Sequence, residues 1–324
     1  MRAVVVSETG GPEVLVVEER PTPDPGRGEI RVDVAAAGLN YIDVYQRTGA
    51  YPLPLPFIAG SEGAGVVSEV GEGVTDVRIG DHVTWAMAAG AGYAEQVVLP
   101  AGRAVPVPEG VDDETAAAAL LQGLTVQYLT RSTFPVQAGQ TALVHAAAGG
   151  VGLLLTQVLT LLGVRVIATT STEAKAALAS AAGADAVIRY DTADVAAEVR
   201  ELTDGLGVHV VYDGVGAATF QGSIDSLRTR GMFVLYGAAS GKVPPVDPAV
   251  LQAKGSLFFT RPTLAHYAAE RAELLERSGE LFGWIRSGEL SVRVGARYPL
   301  ERAADAHRDL EARLTTGKSL IVPA

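Results

Sequence analysis

Apolar and polar positions change rhythm twice along this chain. Up to about Gly123 the apolar residues come in short alternating runs, Ile30–Val34, Gly65–Val70 and Tyr93–Leu99. A period of two puts apolar side chains on one face of a strand. Stretches rich in Gly and Pro (Pro21–Gly28, Gly71–Gly73, Gly80–Asp81) separate the runs and mark turns. GVVSEV at 65–70, followed by GEGV and IGDHV, reads as strand, turn, strand of a small barrel. This first third is therefore expected to be an all-β or largely β domain.

From Thr125 to about Thr260 strands alternate with helices. Expected strands are Ala142–Ala146, Val164–Ala168, Ala186–Ile188, Val208–Tyr212 and Met232–Tyr236. Expected helices are Val151–Leu162, Thr172–Ala182 with Thr172 as N-cap, Ala193–Leu202 and Ala217–Leu227. Short apolar strands at this spacing imply right-handed βαβ crossovers and a parallel sheet covered on both faces. The tail is mixed: a helix over Ala269–Ser287, a strand over Leu290–Val294, an amphipathic helix over Glu301–Leu314 and a last strand at 319–323. It is expected to return to the first domain.

Composition narrows the class. With 48% hydrophobic and 19% charged residues the chain has globular values, not those of a disordered or coiled-coil protein. A net charge of -11 works against nucleic-acid phosphates and anionic membranes as partners. The absence of cysteine excludes disulfides, thiolate nucleophiles and Cys-based zinc sites. The longest apolar stretch, Val151 to Ala168, is interrupted by Thr156, Gln157, Thr160, Gly163 and Arg165, and reads as a buried helix running into a strand. With no secretory h-region at the N-terminus, the expected location is the cytoplasm and no membrane insertion is expected.

The strongest local motif is LVHAAAGGVG at 143–152. A strand runs into a loop where Ala147, Gly149 and Gly152 fall at the spacing of G-x-G-x-x-G, and an apolar helix follows from Val151. Small residues let the backbone turn tightly and a pyrophosphate lie against the helix N-terminus, whose unpaired N–H groups and dipole favour it. Readers of NAD end the second strand with an acid that binds the ribose 2′-hydroxyl. Here that strand runs into Thr169, Thr170, Ser171 and Thr172, with Lys175 one turn on. Hydroxyls and a lysine suit a 2′-phosphate, so NADPH is expected; the same residues also read as a helix cap and a solvated lysine.

Taken together, NYIDVYQRTGAYP at 40–52, GSEGAGVV at 60–67, GLTVQYL at 123–129, HAAAGGVG at 145–152, VVYDGVG at 210–216 and KGSLFFTRPTL at 254–264 resemble, in that order, the quinone oxidoreductases. These form the zeta-crystallin-like branch of the medium-chain dehydrogenase/reductase superfamily. The resemblance covers essentially the whole chain. It implies an α/β protein with a GroES-like β-rich catalytic domain at 1–124, completed by 263–324, and a Rossmann NADPH-binding domain at 125–262, with the active cleft between them.

Residue by residue, the resemblance implies that Asn40, Asp43 and Tyr45 line the nicotinamide and substrate end, on the loop side of the β-rich domain, with Tyr51 close by. Thr125 matches a residue near the nicotinamide. Gly149, Gly150 and Val151 match the pyrophosphate loop, and Ser171, Lys175 and Tyr190 the 2′-phosphate and adenine neighbourhood. Tyr236, Gly237 and Ser240 resemble the loop over the nicotinamide ribose and carboxamide, and Phe259, Arg261 and Lys318 further cofactor contacts. Zinc alcohol dehydrogenases carry a Cys and a His where this chain has Asn40 and Ser61, and Glu62 alone cannot hold zinc. The five His (82, 145, 209, 266, 307) show no metal spacing. Zinc-independent hydride transfer from NADPH to a quinone is therefore expected. Reduction of an activated C=C bond, as in an enone or alkenal, needs the same fold and cofactor and stays open; a non-catalytic NADPH- or RNA-binding role is the alternative of another class. A homodimer is also expected, because the apolar LFF at 257–259 would form an exposed sheet edge and the family pairs its sheets there.

Overall fold

The alternating runs of the first third fold as antiparallel strands. In chain order they are β1 (Arg2–Val6), β2 (Val16–Glu19), β3 (Glu29–Gly38), a short helix α1 (Tyr41–Arg47), β4 (Phe57–Ile58), β5 (Glu62–Val70), β6 (His82–Ala86), β7 (Gln96–Pro100) and β8 (Val105–Pro106). Helix α2 (Asp113–Tyr128) follows, continued by a π-helical turn over Leu129–Thr133. The βαβ region is β9 (Thr141–Val144), α3 (Gly150–Leu161), β10 (Arg165–Thr170), α4 (Glu173–Ala181), β11 (Ala186–Arg189), α5 (Val195–Leu202), β12 (Val208–Asp213), α6 (Phe220–Ser226), β13 (Leu227–Leu235), α7 (Pro248–Ala253), β14 (Phe258–Thr260) and α8 (Leu264–Tyr267). The tail supplies α9 (Arg271–Ser287), β15 (Val294–Pro299), α10 (Ala303–Glu311) and β16 (Lys318–Val322). This computed structural model describes residues 1–323.

The described chain forms two units: Met1–Leu124 with Ala268–Gly288 and the segment from Val292 on, and Thr125–Tyr267 with Glu289–Ser291. In the first, β2-β1-β4 make a three-stranded sheet, and a seven-stranded sheet runs β15-β16-β3-β5-β6-β8 with β7 also paired to β3. One core holds both together, from Val4, Val5 and Ile30 to Trp85, Tyr93 and Ile321. The second unit is a six-stranded, all-parallel sheet in the order β11-β10-β9-β12-β13-β14. Its core gathers Leu143, Ile167, Val211 and Phe233.

Some elements depart from the sequence reading. The first third holds two helices besides its strands. The Ala116–Leu120 stretch of α2 is buried all round, so it shows no polar face and no helical period. The strand expected at Leu290–Val294 begins only at Val294, because Glu289–Ser291 belong to the second unit, where Gln157 binds both the N–H (2.9 Å) and the carbonyl (3.1 Å) of Ser291. The helix expected from Ala217 starts at Phe220, since Asp213 first organises a turn. The chain leaves the second unit after Tyr267 instead of after Pro262: Tyr267 stacks on Tyr128 at 4.4 Å and 4° and accepts a hydrogen bond from Thr133.

Several elements of the first unit converge on one buried charge. Glu62, at the start of β5, has no exposed surface. Its Oε1 accepts the Leu121 N–H of α2 at 2.6 Å, and its Oε2 accepts Asn40 Nδ2 at 2.8 Å and the ammonium of Lys318 from β16. Lys318, 1% exposed, also donates to Asn40 Oδ1 at 2.8 Å. Gly38 of β3 lies so close that a Cβ there would stand 2.2 Å from Glu62 Oε2 and 2.7 Å from Lys318 Nζ. Only glycine admits the pair at this point.

Removing one partner of a buried pair leaves an uncompensated charge, at a cost of about 3–5 kcal/mol. Lys318→Met should lower the stability of the first unit by that order, and Glu62→Gln added to it should recover part of the loss. Both tryptophans, Trp85 and Trp284, lie in this unit, so their fluorescence during urea unfolding reads it selectively. An unchanged urea midpoint for Lys318→Met would contradict this role.

Candidate active site

Helix α1 exists because of its first residues. Asn40 is the N-cap, and Asp43 at N3 reaches back with Oδ2 to accept the Asn40 N–H at 2.9 Å. Four of the expected site residues therefore sit on a capped helix and the turn after it, not on a loop. Asn40 and Asp43 face inward and are buried. The Asn40 amide is fully engaged: Nδ2 donates to Glu62 and to the Gly38 carbonyl (3.2 Å), and Oδ1 accepts from Lys318 and Gln122 (3.4 Å). Asn40 thus acts here as a brace. Lys318, expected from the resemblance as a cofactor contact, has its ammonium held between Glu62 and Asn40.

Tyr45 and Tyr51 face outward. Their rings lie 5.1 Å apart at 56°, and the Tyr51 N–H donates to the Tyr45 carbonyl at 2.9 Å, which folds the turn back on the helix. Tyr51 is 43% exposed. Tyr41, which the sequence reading passed over, extends the aromatic row, with its ring 6.1 Å from Tyr45 and its hydroxyl on the Leu310 carbonyl at 3.2 Å.

Beneath α1 lies a line of donors. Tyr93 donates to Asp43 Oδ2 at 3.0 Å, His307 Nε2 stands 3.3 Å from the Tyr93 hydroxyl, and Arg47 Nη1 is 3.3 Å from His307 Nδ1. Arg47 in turn binds Glu311 through two bonds of 2.9 Å. Burial, helped by Arg47, holds the His307 imidazole down to about 3, so the ring is neutral. Arg47 then donates to Nδ1, which leaves Nε2–H facing Tyr93. Burial lifts the Asp43 carboxyl to about 6, against the pull of the Asn40 N–H, Tyr93, Lys318 and the Ser61 hydroxyl. Tyr93, Arg47 and His307 carried no sequence signal, since their partners are remote in the chain. Asn40 did carry one: it is the only asparagine in 324 residues.

The donor set around Glu62 does not fit zinc. Asn40 and Ser61 offer an amide and a hydroxyl, Ser61 donates to Gln46 at 3.2 Å, and a fixed ammonium already neutralises Glu62. Zinc takes thiolate, imidazole or carboxylate ligands, about four of them. Among the described residues no group of three or more His, Asp or Glu could hold a metal ion.

In the second unit the sheet reverses direction of growth between β9 and β12, and such a switch point leaves a crevice at the carboxyl ends of the strands. The loop from His145 to Gly149 lies there. Gly149 is the N-cap of α3 and offers no side chain to its N–H groups. At Gly152 a Cβ would stand 2.4 Å from the Ala146 carbonyl and 2.6 Å from Ala147 Cα, so the helix packs on the loop only with glycine. Gly150 and Val151 open the helix, and Ala147 is buried below it. The Thr170 hydroxyl, at the end of β10, is buried with no partner among the described residues. Ser171 follows, and Thr172 caps α4 by accepting the Lys175 N–H at 3.3 Å. Tyr190 is exposed just beyond β11. An uncapped helix start, a glycine-only contact and an orphan hydroxyl five positions before a lysine fit a phosphorylated dinucleotide.

The segment Tyr236–Ser240 folds over the end of β12. A Cβ on Gly237 would stand 2.3 Å from the Gly214 carbonyl, and Ser240 Oγ donates to Val215 O at 2.8 Å. Arg261 donates to the Leu235 carbonyl at 2.9 Å. The Phe259 ring packs on Phe233 (5.2 Å) and Phe220 (6.3 Å), so it belongs to the core. Thr125 is buried on α2 as the first residue of the second unit. Asn40, Asp43, Tyr45, Tyr51 and Lys318 therefore share one unit, and the remaining expected residues the other.

Residues 26–109 match the model of the alcohol dehydrogenase GroES-like domain, and residues 150–274 that of the zinc-binding dehydrogenases. A quinone oxidoreductase of Pseudomonas aeruginosa is 46% identical over 97% of each chain. A mycobacterial structure complexed with NADPH is 52% identical, with a TM-score of 0.97 and full coverage of both chains. The quinone oxidoreductase of Escherichia coli complexed with NADPH is 44% identical, with a TM-score of 0.98 and full coverage of both. With likeness of this degree along its whole length, and with a GroES-like and a Rossmann unit, the chain belongs to the quinone oxidoreductase family of the medium-chain dehydrogenase/reductase superfamily.

Proposed function

We propose that this protein is a cytoplasmic, homodimeric enzyme that reduces quinones with NADPH and without zinc. The observation that carries the reading is the loop at 145–152, closed on Gly152 and followed by Thr170, Ser171 and Lys175. Relatives named for quinone reduction, and solved relatives that hold NADPH, support it. No helix among the described residues is long and apolar enough to cross a membrane.

NADPH, when bound, supplies the hydride. The N–H groups at the start of α3 would hold its pyrophosphate, Thr170, Ser171 and Lys175 its 2′-phosphate, and Tyr190 would lie near the adenine. Thr125, Tyr236, Gly237, Ser240, Phe259 and Arg261 would hold the nicotinamide half. A quinone is already electrophilic; it needs a donor for the oxygen that gains negative charge and shelter from water. Tyr45 and Tyr51 supply that donor. The engaged Asn40 amide and Asp43 hold α1 so that both rings keep their place.

Lys175→Ala should raise the Kd for NADPH by about 10- to 100-fold, the worth of a charge-assisted hydrogen bond, and leave NADH nearly unchanged. Fluorescence titration of both cofactors checks this; equal losses would remove the 2′-phosphate assignment.

Tyr45→Phe and Tyr51→Phe should each slow quinone reduction by about 10- to 1000-fold, within the range of a lost electrostatic donor. The Kd for NADPH should stay near wild type. A panel of quinones, enones and aldehydes, read as NADPH oxidation, tests the activity itself. Full turnover in both variants would place the donor elsewhere.

The edge strand β14 bears the support for a dimer. Among the described residues it pairs only with β13, and it presents Phe258, 58% exposed, to solvent. An open apolar edge is an association site. Light scattering should find a dimer for the native protein and a monomer for Phe258→Lys; a monomeric native protein would refute it.

A further inference from the structure

Behind the dinucleotide loop runs a buried chain of polar side chains that no step above uses. Asp213, at the end of β12, has no exposed surface. Its Oδ1 accepts the N–H groups of Val215 (2.7 Å) and Gly216 (3.0 Å), and its Oδ2 accepts the hydroxyls of Thr219 (2.6 Å) and Ser223 (2.9 Å). Ser223 Oγ lies 3.0 Å from His145 Nε2, and His145 Nδ1 lies 3.0 Å from Thr169 Oγ1. Asp213, Ser223, His145 and Thr169 are all buried, and Thr219 is half-buried. The directions follow from the carboxylate, which only accepts. Ser223 donates its proton to Asp213, so it accepts from His145 Nε2–H; Nδ1 must then accept from Thr169. Burial, the larger influence, pushes the His145 ring below its usual range against the opposing pull of Asp213, which agrees with this neutral form.

The chain joins the carboxyl ends of β12, β9 and β10, the strands at the switch point. The residue after His145 is Ala146, with φ of 51°, in the left-handed region that an alanine enters only at a cost. Its carbonyl accepts the Gly149 N–H at 2.9 Å and is the atom that excludes a Cβ from Gly152. The neighbouring Ala147 N–H donates to the Thr169 carbonyl at 3.0 Å, and the His145 N–H to the Tyr212 carbonyl at 3.1 Å. Side-chain and main-chain bonds thus reach the same three strand ends on either side of the strained residue.

We propose that His145 is the positioning residue of the dinucleotide loop: tied through Ser223 to Asp213 and to Thr169, it holds Ala146 in its left-handed conformation and so presents the start of α3 to the cofactor. It touches no substrate and acts through the backbone of residues 146–149. The inference rests on the reading of this loop as the NADPH site.

The test is an NADPH titration of Thr169→Val, Ser223→Ala and His145→Gln, each alone and combined with Ala146→Gly. The two hydroxyl deletions keep the test valid should the histidine variant fail to fold. Each single change should raise the NADPH Kd about tenfold, on the order of one hydrogen bond, with kcat at saturating NADPH within about twofold of wild type. Glycine adopts the left-handed region without a Cβ penalty, so in the Ala146→Gly background the rise should shrink to about twofold. Equal rises in both backgrounds, or an unchanged Kd alongside a lowered Tm, would overturn the inference and leave the chain a mere core network. Failure of the wild-type protein to bind NADPH would overturn the reading of the loop, and the inference with it.

Discussion

The first unit depends on a charge that water cannot reach. Glu62 forms a buried salt bridge with Lys318, and burying a single unpaired ion of either kind would cost several kcal/mol of desolvation. What makes the pair viable is complete satisfaction. The carboxylate accepts from the ammonium, from the Asn40 amide and from a main-chain N–H of α2, and the ammonium finds a second acceptor in Asn40. Each of those partners belongs to a different element, so satisfying the charge and assembling β5, α1, α2 and β16 are one event. A hydrophobic isostere could fill the same volume, but it would not dictate which way the Asn40 amide points or where α1 begins.

The second unit solves a related problem with backbone. Its buried carboxylate, Asp213, has no cationic partner among the described residues and is held by two N–H groups and two hydroxyls. Four hydrogen-bond donors take the place of a salt-bridge partner. The consequence is geometric: the turn at 214–216 wraps around the carboxylate, Tyr236–Ser240 lies on that turn, and Gly216 and Gly237 are the points where main chain meets main chain too closely for a side chain, while Gly214 makes room for the Tyr236 ring. One unit thus fixes side chains through an ion pair, and the other fixes main chain through an acceptor. That difference suits what each offers: hydroxyls on rings in the first, N–H groups at a helix start in the second.

Much of this was legible in the sequence where local physics decides. The parallel sheet showed in the spacing of short apolar strands, the loop at 143–152 in its small residues, and the Thr172 cap in its hydroxyl before a helix. What escaped had its cause elsewhere in the chain. Helix α2 carries no period because it is buried on every side. The strand after Leu290 slipped because Ser291 is held by Gln157, far away in sequence, and residues 289–291 fall with the second unit. Asn40 read as a substrate-facing amide, yet its partners Glu62 and Lys318 lie 22 and 278 positions away. Asp213 and His145 stood inside motifs whose glycines drew attention, while their own partners, Ser223 and Thr169, come from a separate helix and strand. Periodicity sees one element at a time; a buried polar network is a property of several.

The same network sets the range of chemistry the first unit can support. Zinc in a dehydrogenase would polarise a carbonyl and lower the pKa of a bound hydroxyl, and both require an open coordination position. Lys318 supplies positive charge at Glu62 without one: its ammonium is buried and held between two acceptors, so it can organise but cannot bind a substrate oxygen. Under the proposed function, the groups an acceptor would meet are the hydroxyls of Tyr45 and Tyr51. Such donors stabilise charge that an acceptor is already prepared to take up; they do not create electrophilicity. If those two tyrosines face the acceptor as proposed, a carbonyl that needs a Lewis acid would meet little help, whereas a ring that becomes aromatic on gaining a hydride would need no more than they can give.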